Sequence, residues 1–534
     1  MRPARWGVLW QMLARVCSAA VLGIDAYLVD VEVDISSGLP SFSTVGLPQG
    51  AVREGRERVA AALANAGYAL PPRRITVNLA PADVPKQGSA FDLPVALGVL
   101  IASEQLPISP RRYEGHRTVV AGELGLEGDL RPVRGALPIA LLARASGATT
   151  LIVPAANVTE AAVVSGLTVL GAATLDDVCR HLSGEGRLEA AEVDPARYLA
   201  SAIRDDADFA DVRGQAGAKR ALEVAAAGAH NILLIGPPGS GKTMLARRLP
   251  GILPAMTLEE ALETTKVHSV AGLLGAGRAL CTTRPFRAPH HTISDAGLVG
   301  GGTPPRPGEV SLAHGGVLFL DELPEFRSSV LEVLRQPLED GTVTLSRAAM
   351  SLTYPARIML AAAMNPCPCG YSGDPAHACL CPPHAVQRYR ARVSGPLLDR
   401  IDIHLEVPAI PYRDLTGGPP AEPSVTIAAR VERARAAQRA RFREIAGVHA
   451  NAHMSAREVR RHCALGAESE SILRSAITRL GLSARAYHRV LKIARTIADL
   501  AGEESLQVAH VAEAIQYRSL DRDHSSPAPR LSPA

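Results

Sequence analysis

Gly236-Pro237-Pro238-Gly239-Ser240-Gly241-Lys242-Thr243 is a run of small, turn-forming residues closed by an ammonium and a hydroxyl. Residues of these types at this spacing bind phosphate. The glycines let backbone N–H groups turn inward, the lysine reaches the β and γ oxygens, and the hydroxyl ligates Mg²⁺. The apolar stretch 232–235 precedes the loop as a strand, and Met244-Leu245-Ala246 opens a helix whose N-terminus adds partial positive charge. The chain has five lysines among its 57 Lys+Arg residues, yet a lysine stands where the loop needs a compact ammonium. Residues 236–244 are therefore expected to hold ATP with Mg²⁺.

Gly316-Val-Leu-Phe-Leu320 reads as a second buried parallel strand that delivers Asp321 and Glu322 from its C-terminal end. Asp321 is expected to hold Mg²⁺ with Thr243, and Glu322 to polarise the attacking water. A third apolar strand, 358–364, ends in Asn365, whose amide could orient that water. Arg400 follows on a short apolar segment flanked by Asp399 and Asp402. It reads either as a surface ion-pair residue or as a finger inserted into a neighbouring subunit's site, where such arginines raise rates about 10³–10⁵-fold.

Eight cysteines include four packed into Cys367-x-Cys369 and Cys379-x-Cys381. Four thiolates suit a tetrahedral Zn²⁺. One residue between paired cysteines is fewer than zinc loops commonly have, so reduced, partly buried thiols are the competing reading, with His377 and His384 as alternative ligands. Cys17, Cys179, Cys281 and Cys463 read as isolated small core residues.

These residues need elements to hold them, and 534 residues exceed one hydrophobic core. The composition is globular, with 47% hydrophobic and 21% charged residues. A net charge of +4 excludes a uniformly basic coat protein, and 4% aromatic residues argue against base-stacking platforms. No apolar run reaches about 18 residues without a charge, which excludes a membrane-spanning helix. Arg15 interrupts the early apolar stretch, so the chain reads as cytoplasmic, with residues 1–11 a mis-annotated extension. Val31-Glu-Val-Asp-Ile35 alternates like a half-buried strand, Gly67 should end a helix through Val52, Val59 and Leu63, and Asp92 should cap the next. The expected order is an N-terminal α/β domain over 12–182, a linker over 183–207, the nucleotide core over 208–411 and a loop over 412–424. A helical domain over 425–520 and a disordered tail over 521–534 follow.

With the phosphate loop, Asp321-Glu322, Asn365 and Arg400 in order, the chain resembles the AAA+ ATPases. Arg287-Ala-Pro-His-His-Thr292, Pro307-Gly-Glu-Val-Ser-Leu-Ala-His-Gly315, Ala363-Met-Asn-Pro366 and Ser394-Gly-Pro-Leu-Leu-Asp-Arg400 narrow the likeness. With Gly38-Leu-Pro-Ser-Phe42, Val45-Gly-Leu-Pro48 and Ser483-Ala-Arg-Ala-Tyr-His-Arg489, they are similar to the magnesium-chelatase-like ComM/YifB family over residues 12–520. The resemblance implies an α/β fold: a Lon-protease-like α+β N-terminal domain, an AAA+ P-loop core and a helical C-terminal lid. It also implies a ring, of hexameric type, in which Arg400 is the finger and Arg485 the lid arginine known as sensor 2. Branched or single-stranded DNA would be the substrate of a helicase that moves branch points in homologous recombination and natural transformation.

The hairpin around Gly341 to Tyr354 resembles a pore loop, with Arg347 the candidate DNA phosphate contact. His290-His291, in an inserted element, reads as ordinary loop packing or polar contacts. Lon-type proteases use a Ser–Lys dyad, but the matching serine position here is Ala90, with Ser89 one residue early. Arg134-Gly-Ala-Leu-Pro-Ile139 lacks the partner lysine, so a non-proteolytic scaffold is expected. The alternatives for the whole chain are the ATPase subunit of a metal chelatase and a protein-remodelling ATPase.

Overall fold

The computed structural model describes residues 12–109, 112–200, 207–275, 277–303, 305–347, 350–409, 421–445, 447–480 and 483–518, without the side chains of 12, 116, 347 and 350. The expected extension 1–11, the tail 521–534 and most of the 412–424 loop lie outside the described residues. The chain forms two compact units. Described residues up to 200 join those of 258–282 in the first, and the other described residues form the second.

The first unit is built on a seven-stranded sheet in the order Ser41–Val45, Arg74–Ala80, Asp25–Ser36, Met12–Leu22, Thr118–Val120, Thr150–Pro154, Thr168–Ala172. Alternation sets its register: Val29, Val31, Val33 and Ile35 are buried while the residues between them are half-buried. The helix Ala51–Asn65 buries Val52, Val59, Ala62 and Leu63, and Gly67 follows it at φ +84°, as its place after the last turn requires. Asp92 departs from expectation. Phe91 occupies the cap position, and the Asp92 carboxylate turns inward to accept from Arg58 Nε at 2.6 Å. A buried carboxylate gains more from a guanidinium than from a backbone N–H.

Two boundaries also differ from the sequence reading. Part of the expected linker packs on the first unit, because Leu188, Val193 and Tyr198 have apolar clusters to cover and residues 195–200 are helical. The helix Leu258–Ala271, expected within the nucleotide core, belongs to the first unit as well. There Ser269 donates to the buried carboxylate of Glu160.

The second unit carries a five-stranded parallel sheet in the order Phe286–Arg287, Val317–Leu320, Met359–Met364, Ile232–Ile235, Ile403–Glu406. Every residue of 232–235, 317–320 and 359–364 is buried, as strands covered on both faces must be. Helices Ser424–Phe442, Ala467–Leu480, Ala484–Ala501 and Val508–Gln516 follow. Ser483 caps the third of these by accepting from Ala486 N, and Gly502 ends it at φ +77°. Its Val490, Ala494 and Ile497 share one apolar cluster with Ile232 and Leu234 of the sheet, so lid and core are fused through a common interior.

A buried polar knot reinforces that union. Asp402, just before the strand Ile403–Glu406, pairs with Arg489 of the lid and lies 3.3 Å from His230 Nδ1. His230 Nε2 is 2.8 Å from Thr496 Oγ1, again on the lid. Burial alone would raise the Asp402 pKa, but Arg489 and His230 outweigh it and hold the carboxyl well below the usual carboxylate range. Because the folded value lies below the unfolded one of about 3.9, the pairing stabilises the fold at neutral pH and is lost as pH falls through and below about 4. Asp402→Asn is expected to cost about 3 kcal/mol at pH 7. Chemical denaturation across acidic pH should also show a shallower loss of stability than in the wild type.

Candidate nucleotide site

Strand register brings the expected residues to one edge. Ile235 pairs with Met364 and Leu320 with Ala362, so Gly236, Asp321 and Asn365 leave the three central strands on the same side. Gly236 has no room for a side chain, since a Cβ there would lie 2.1 Å from the Val407 carbonyl oxygen. Gly239 and Gly241 adopt φ +77° and +85°, a region that costs other residues dearly. Pro237 and Pro238 stiffen the turn, and Ser240 is buried beneath it.

Lys242 begins the short helix Lys242–Ala246, with its side chain only 9% exposed. Its ammonium donates to the carbonyls of Gly236 at 2.7 Å and Pro237 at 2.9 Å, and to Asn365 Oδ1 at 3.2 Å. Burial lowers its pKa while the Asp321 and Glu322 carboxylates oppose that shift. Thr243 Oγ1 donates to Asp321 Oδ2 at 2.6 Å, and Asp321 Oδ1 accepts from Glu322 N at 3.0 Å. A hydroxyl and a carboxylate oxygen side by side are the hard donors that Mg²⁺ takes. The adjacent ammonium, held by neutral carbonyl and amide oxygens, can exchange them for charged phosphate oxygens. The donor set thus fits Mg²⁺ and a nucleoside triphosphate, and Met244 lies exposed at the loop's end.

Glu322 stands in the left-handed region, φ 53° and ψ 48°, unusual for a side-chain-bearing residue and a form of strain that clusters at functional sites. Its carboxylate is 59% exposed and lies 3.6 Å from His291 Nδ1. His291 in turn lies against His290, with ring centroids 4.1 Å apart, and edge-on to Phe326. Loop packing and polar contacts both occur at this pair, and nothing in the local sequence shows that a partner is Glu322. The only clue was that the histidines follow the strand Phe286–Arg287, which pairs beside the Asp321 strand.

Arg400 is buried, donates to the Pro396 carbonyl at 2.6 Å and pairs with Glu339. Arg485, exposed on the first turn of the helix Ala484–Ala501, lies near the same carboxylate. Hydrogen bonding from Arg400, with the positive charges of Arg400, Arg485 and Arg335, holds Glu339 below its ordinary pKa. Of the two expected trans-acting arginines, Arg400 thus pairs with Glu339, a residue outside the nucleotide site, and Arg485 acts on that carboxylate through its charge alone.

The strands Thr342–Arg347 and Met350–Pro355 form the expected antiparallel hairpin. One face buries Val343, Leu352 and Tyr354; the other exposes Thr344, Ser346, Ser351 and Thr353, whose hydroxyls pair across the strands. The Arg347 backbone pairs with Met350, but its side chain lies outside the described residues. The sulfurs of Cys367, Cys369, Cys379 and Cys381 all lie within 4.8 Å of one another. His377 pairs instead with Asp374. In the first unit, Ser89 donates to Glu123, and Lys86 is buried with no hydrogen-bond partner for its ammonium among the described residues.

Phosphate loop, carboxylate strand and helical lid together define an AAA+ module of the magnesium-chelatase type. Family descriptions agree: "Magnesium chelatase, subunit ChlI" matches residues 208–415, its C-terminal counterpart 421–518, and "Subunit ChlI of Mg-chelatase" 31–157. The chain is 47% identical over 515 residues to Competence protein ComM of Haemophilus influenzae, covering 96% of this chain and 98% of that one. It is 45% identical over 513 residues to YifB of Escherichia coli, with the same coverage. A stretch of 157 residues is 35% identical to Lon protease 2 of Bacillus subtilis, 27% of each chain. The chain belongs to the ComM/YifB family.

His291→Ala should change maximal ATP turnover and leave nucleotide affinity unaltered, because His291 meets Glu322 and not the phosphate loop. Steady-state hydrolysis beside titration with a fluorescent ATP analogue separates the two. Equal losses in both would reduce His291 to loop support.

Proposed function

We propose that this chain is an ATP-hydrolysing AAA+ motor that assembles into a ring, of hexameric type, in the cytoplasm. On this reading it works on branched or single-stranded DNA as a helicase, promoting branch migration in homologous recombination and natural transformation. The observation that carries the ATPase is the convergence of Lys242, Thr243, Asp321, Glu322 and Asn365 at one sheet edge. Residues 236–244 embrace the triphosphate, and Lys242 turns from backbone carbonyls to the β and γ oxygens. Thr243 and Asp321 would hold Mg²⁺, which would supply charge neutralisation. Glu322 takes the proton of the attacking water, and Asn365 orients that water. Zn²⁺ at the four cysteines completes the cofactor set.

Similarity to a protein named for competence supports DNA as the substrate, as does the hairpin's face of hydroxyls, a group that contacts phosphates in many complexes. Arg347 at the end of its strand is the proposed phosphate contact. The first unit acts as a non-proteolytic scaffold, since its Ser89 is held by a carboxylate and not by a lysine. No described helix is long and apolar enough to cross a membrane. The chelatase descriptions favour one second reading, an ATPase subunit that serves a metal-inserting partner.

ATP hydrolysis with and without a four-way DNA junction, wild type beside Glu322→Gln, tests the proposal. Junction-stimulated turnover should fall about 10²–10⁴-fold in Glu322→Gln while ATP still binds. Junction affinity should also weaken steeply as salt rises. Hydrolysis indifferent to DNA would overturn the helicase reading.

Arg400, once Glu339 releases it, and Arg485 are proposed to reach the neighbouring subunit's nucleotide. Arg400→Ala and Lys242→Ala should each be inactive alone, and mixed rings should regain part of the activity where an intact half-site meets its complement. No recovery in assembled mixed rings would place Arg400 within its own subunit's structure.

A further inference from the structure

The four-cysteine cluster is spliced into the chain two residues after Asn365. Cys367 is buried, and Cys369, Cys379 and Cys381 are half-buried. Its sulfurs lie 3.4 Å apart for Cys367 and Cys369, and 3.6 Å for Cys379 against each of those two. These spacings are far beyond a disulfide of about 2.05 Å. They approach the edge of about 3.8 Å that Zn–S bonds of about 2.3 Å give a tetrahedron. The backbone also treats the sulfurs as acceptors: Cys369 N donates to Cys381 Sγ at 3.4 Å and Ser372 N to Cys367 Sγ at 3.3 Å. The intervening loop is braced separately. Asp374 accepts from Ala376 N at 2.7 Å and pairs with His377, whose ring lies 4.8 Å from Tyr371.

The knuckle abuts the nucleotide site. Gly370, at φ +87°, has the phosphate loop against its α-carbon: a Cβ there would lie 2.5 Å from Pro238 Cδ and 3.8 Å from Asn365 Cγ. Arg390 Nε donates to the Pro366 carbonyl at 3.2 Å, tying the bridge between Asn365 and Cys367 to the following helix. Asn365 in turn receives the Lys242 ammonium. The position of Gly370 therefore bears on both the phosphate loop and the amide beside the γ phosphate.

We propose that Cys367, Cys369, Cys379 and Cys381 bind one Zn²⁺ per chain, and that the bound ion presses the Gly370 turn against Pro238 and keeps Asn365 in register for hydrolysis. The hydrolysis half rests on the ATPase reading given above; the metal half does not. On binding, four thiols release four protons and the Zn²⁺–tetrathiolate centre carries a charge of −2. No electron is transferred. Without the ion the four sulfurs have no common partner, and the turn can draw away from Pro238.

Elemental analysis of the full chain, purified under reducing conditions, should find about one Zn²⁺ per chain. Co²⁺ introduced in its place should show thiolate charge-transfer and tetrahedral d–d bands. Removing the metal from folded wild-type protein with a strong chelator should slow ATP turnover about tenfold to a hundredfold, the scale of an ångström-sized displacement at a reacting centre. Re-added Zn²⁺ should restore it, and circular dichroism should show the fold retained throughout. Cys381→His, which keeps a ligating atom, should hold more metal and more activity than Cys381→Ser. Absence of bound Zn²⁺ together with a featureless Co²⁺ spectrum overturns the proposal. Zn²⁺ whose removal leaves turnover and fluorescent-ATP affinity unchanged overturns the coupling. If the wild type hydrolyses no ATP, the ATPase reading fails on its own, and the metal content with the metal dependence of fluorescent-ATP affinity still decides this one.

Discussion

Parallel strands packed edge to edge fix where their C-terminal residues emerge, and everything proposed for the second unit depends on that register. The spacing is close enough that two glycines are obligatory. A Cβ on Gly236 would meet the Val407 carbonyl oxygen at 2.1 Å, and one on Gly316 would meet that of Pro285 at 2.0 Å. These contacts leave little play along the strands, so Gly236, Asp321 and Asn365 leave the sheet at fixed positions, and only the short loop from Gly236 carries Lys242 to them. A slip of one residue would turn Asp321 to the opposite face of the sheet. Loss of the Thr243–Asp321 contact would follow. Rigidity at this edge is what lets the lysine be held provisionally by neutral oxygens, with the nucleotide as the better partner.

The same edge transmits to the lid. Asp402 leads directly into Ile403–Glu406, the strand that flanks the phosphate-loop strand, and its carboxylate is held by Arg489 from the lid and His230 from the core. Asn451 and Thr496 extend the buried network, with Asn451 Nδ2 donating to Thr496 Oγ1 at 3.1 Å and to Asp499 Oδ2 at 2.8 Å. Buried polar groups that are mutually satisfied resist small rearrangements and favour all-or-none ones. A movement of the phosphate-loop strand would therefore be carried into the helix Ala484–Ala501, whose first turn bears Arg485.

How much of this was legible in the sequence follows the range of the interaction. The phosphate loop, the Asp321-Glu322 pair and the alternating strand around Val31 are local patterns, written within a few residues and fixed by backbone geometry. The membership of 258–282 in the first unit was not legible, because a helix such as Leu258–Ala271 does not record which apolar surface it covers. Asp92 was misread for a related reason: as a helix-start residue it suits a cap, and only the fold supplies Arg58 from 34 positions earlier. His291 beside Glu322, and Arg400 on Glu339, are meetings of residues remote in sequence. Motif spacing is silent on both.

Arg400 shows why the distinction matters for mechanism. An isolated guanidinium waiting for a neighbour would be costly to bury, and here burial is tolerated because Glu339 and the Pro396 carbonyl engage it, even though its Nε has no hydrogen-bond partner among the described residues. The charges of Arg485 and Arg335 act on the same carboxylate, and in the proposed ring a neighbour's triphosphate would compete with it for Arg400. Glu339 is half exposed, so the proposed exchange would be open to an incoming anion. A carboxylate that holds Arg400 in the separate chain and yields it to phosphate would make assembly and hydrolysis depend on each other.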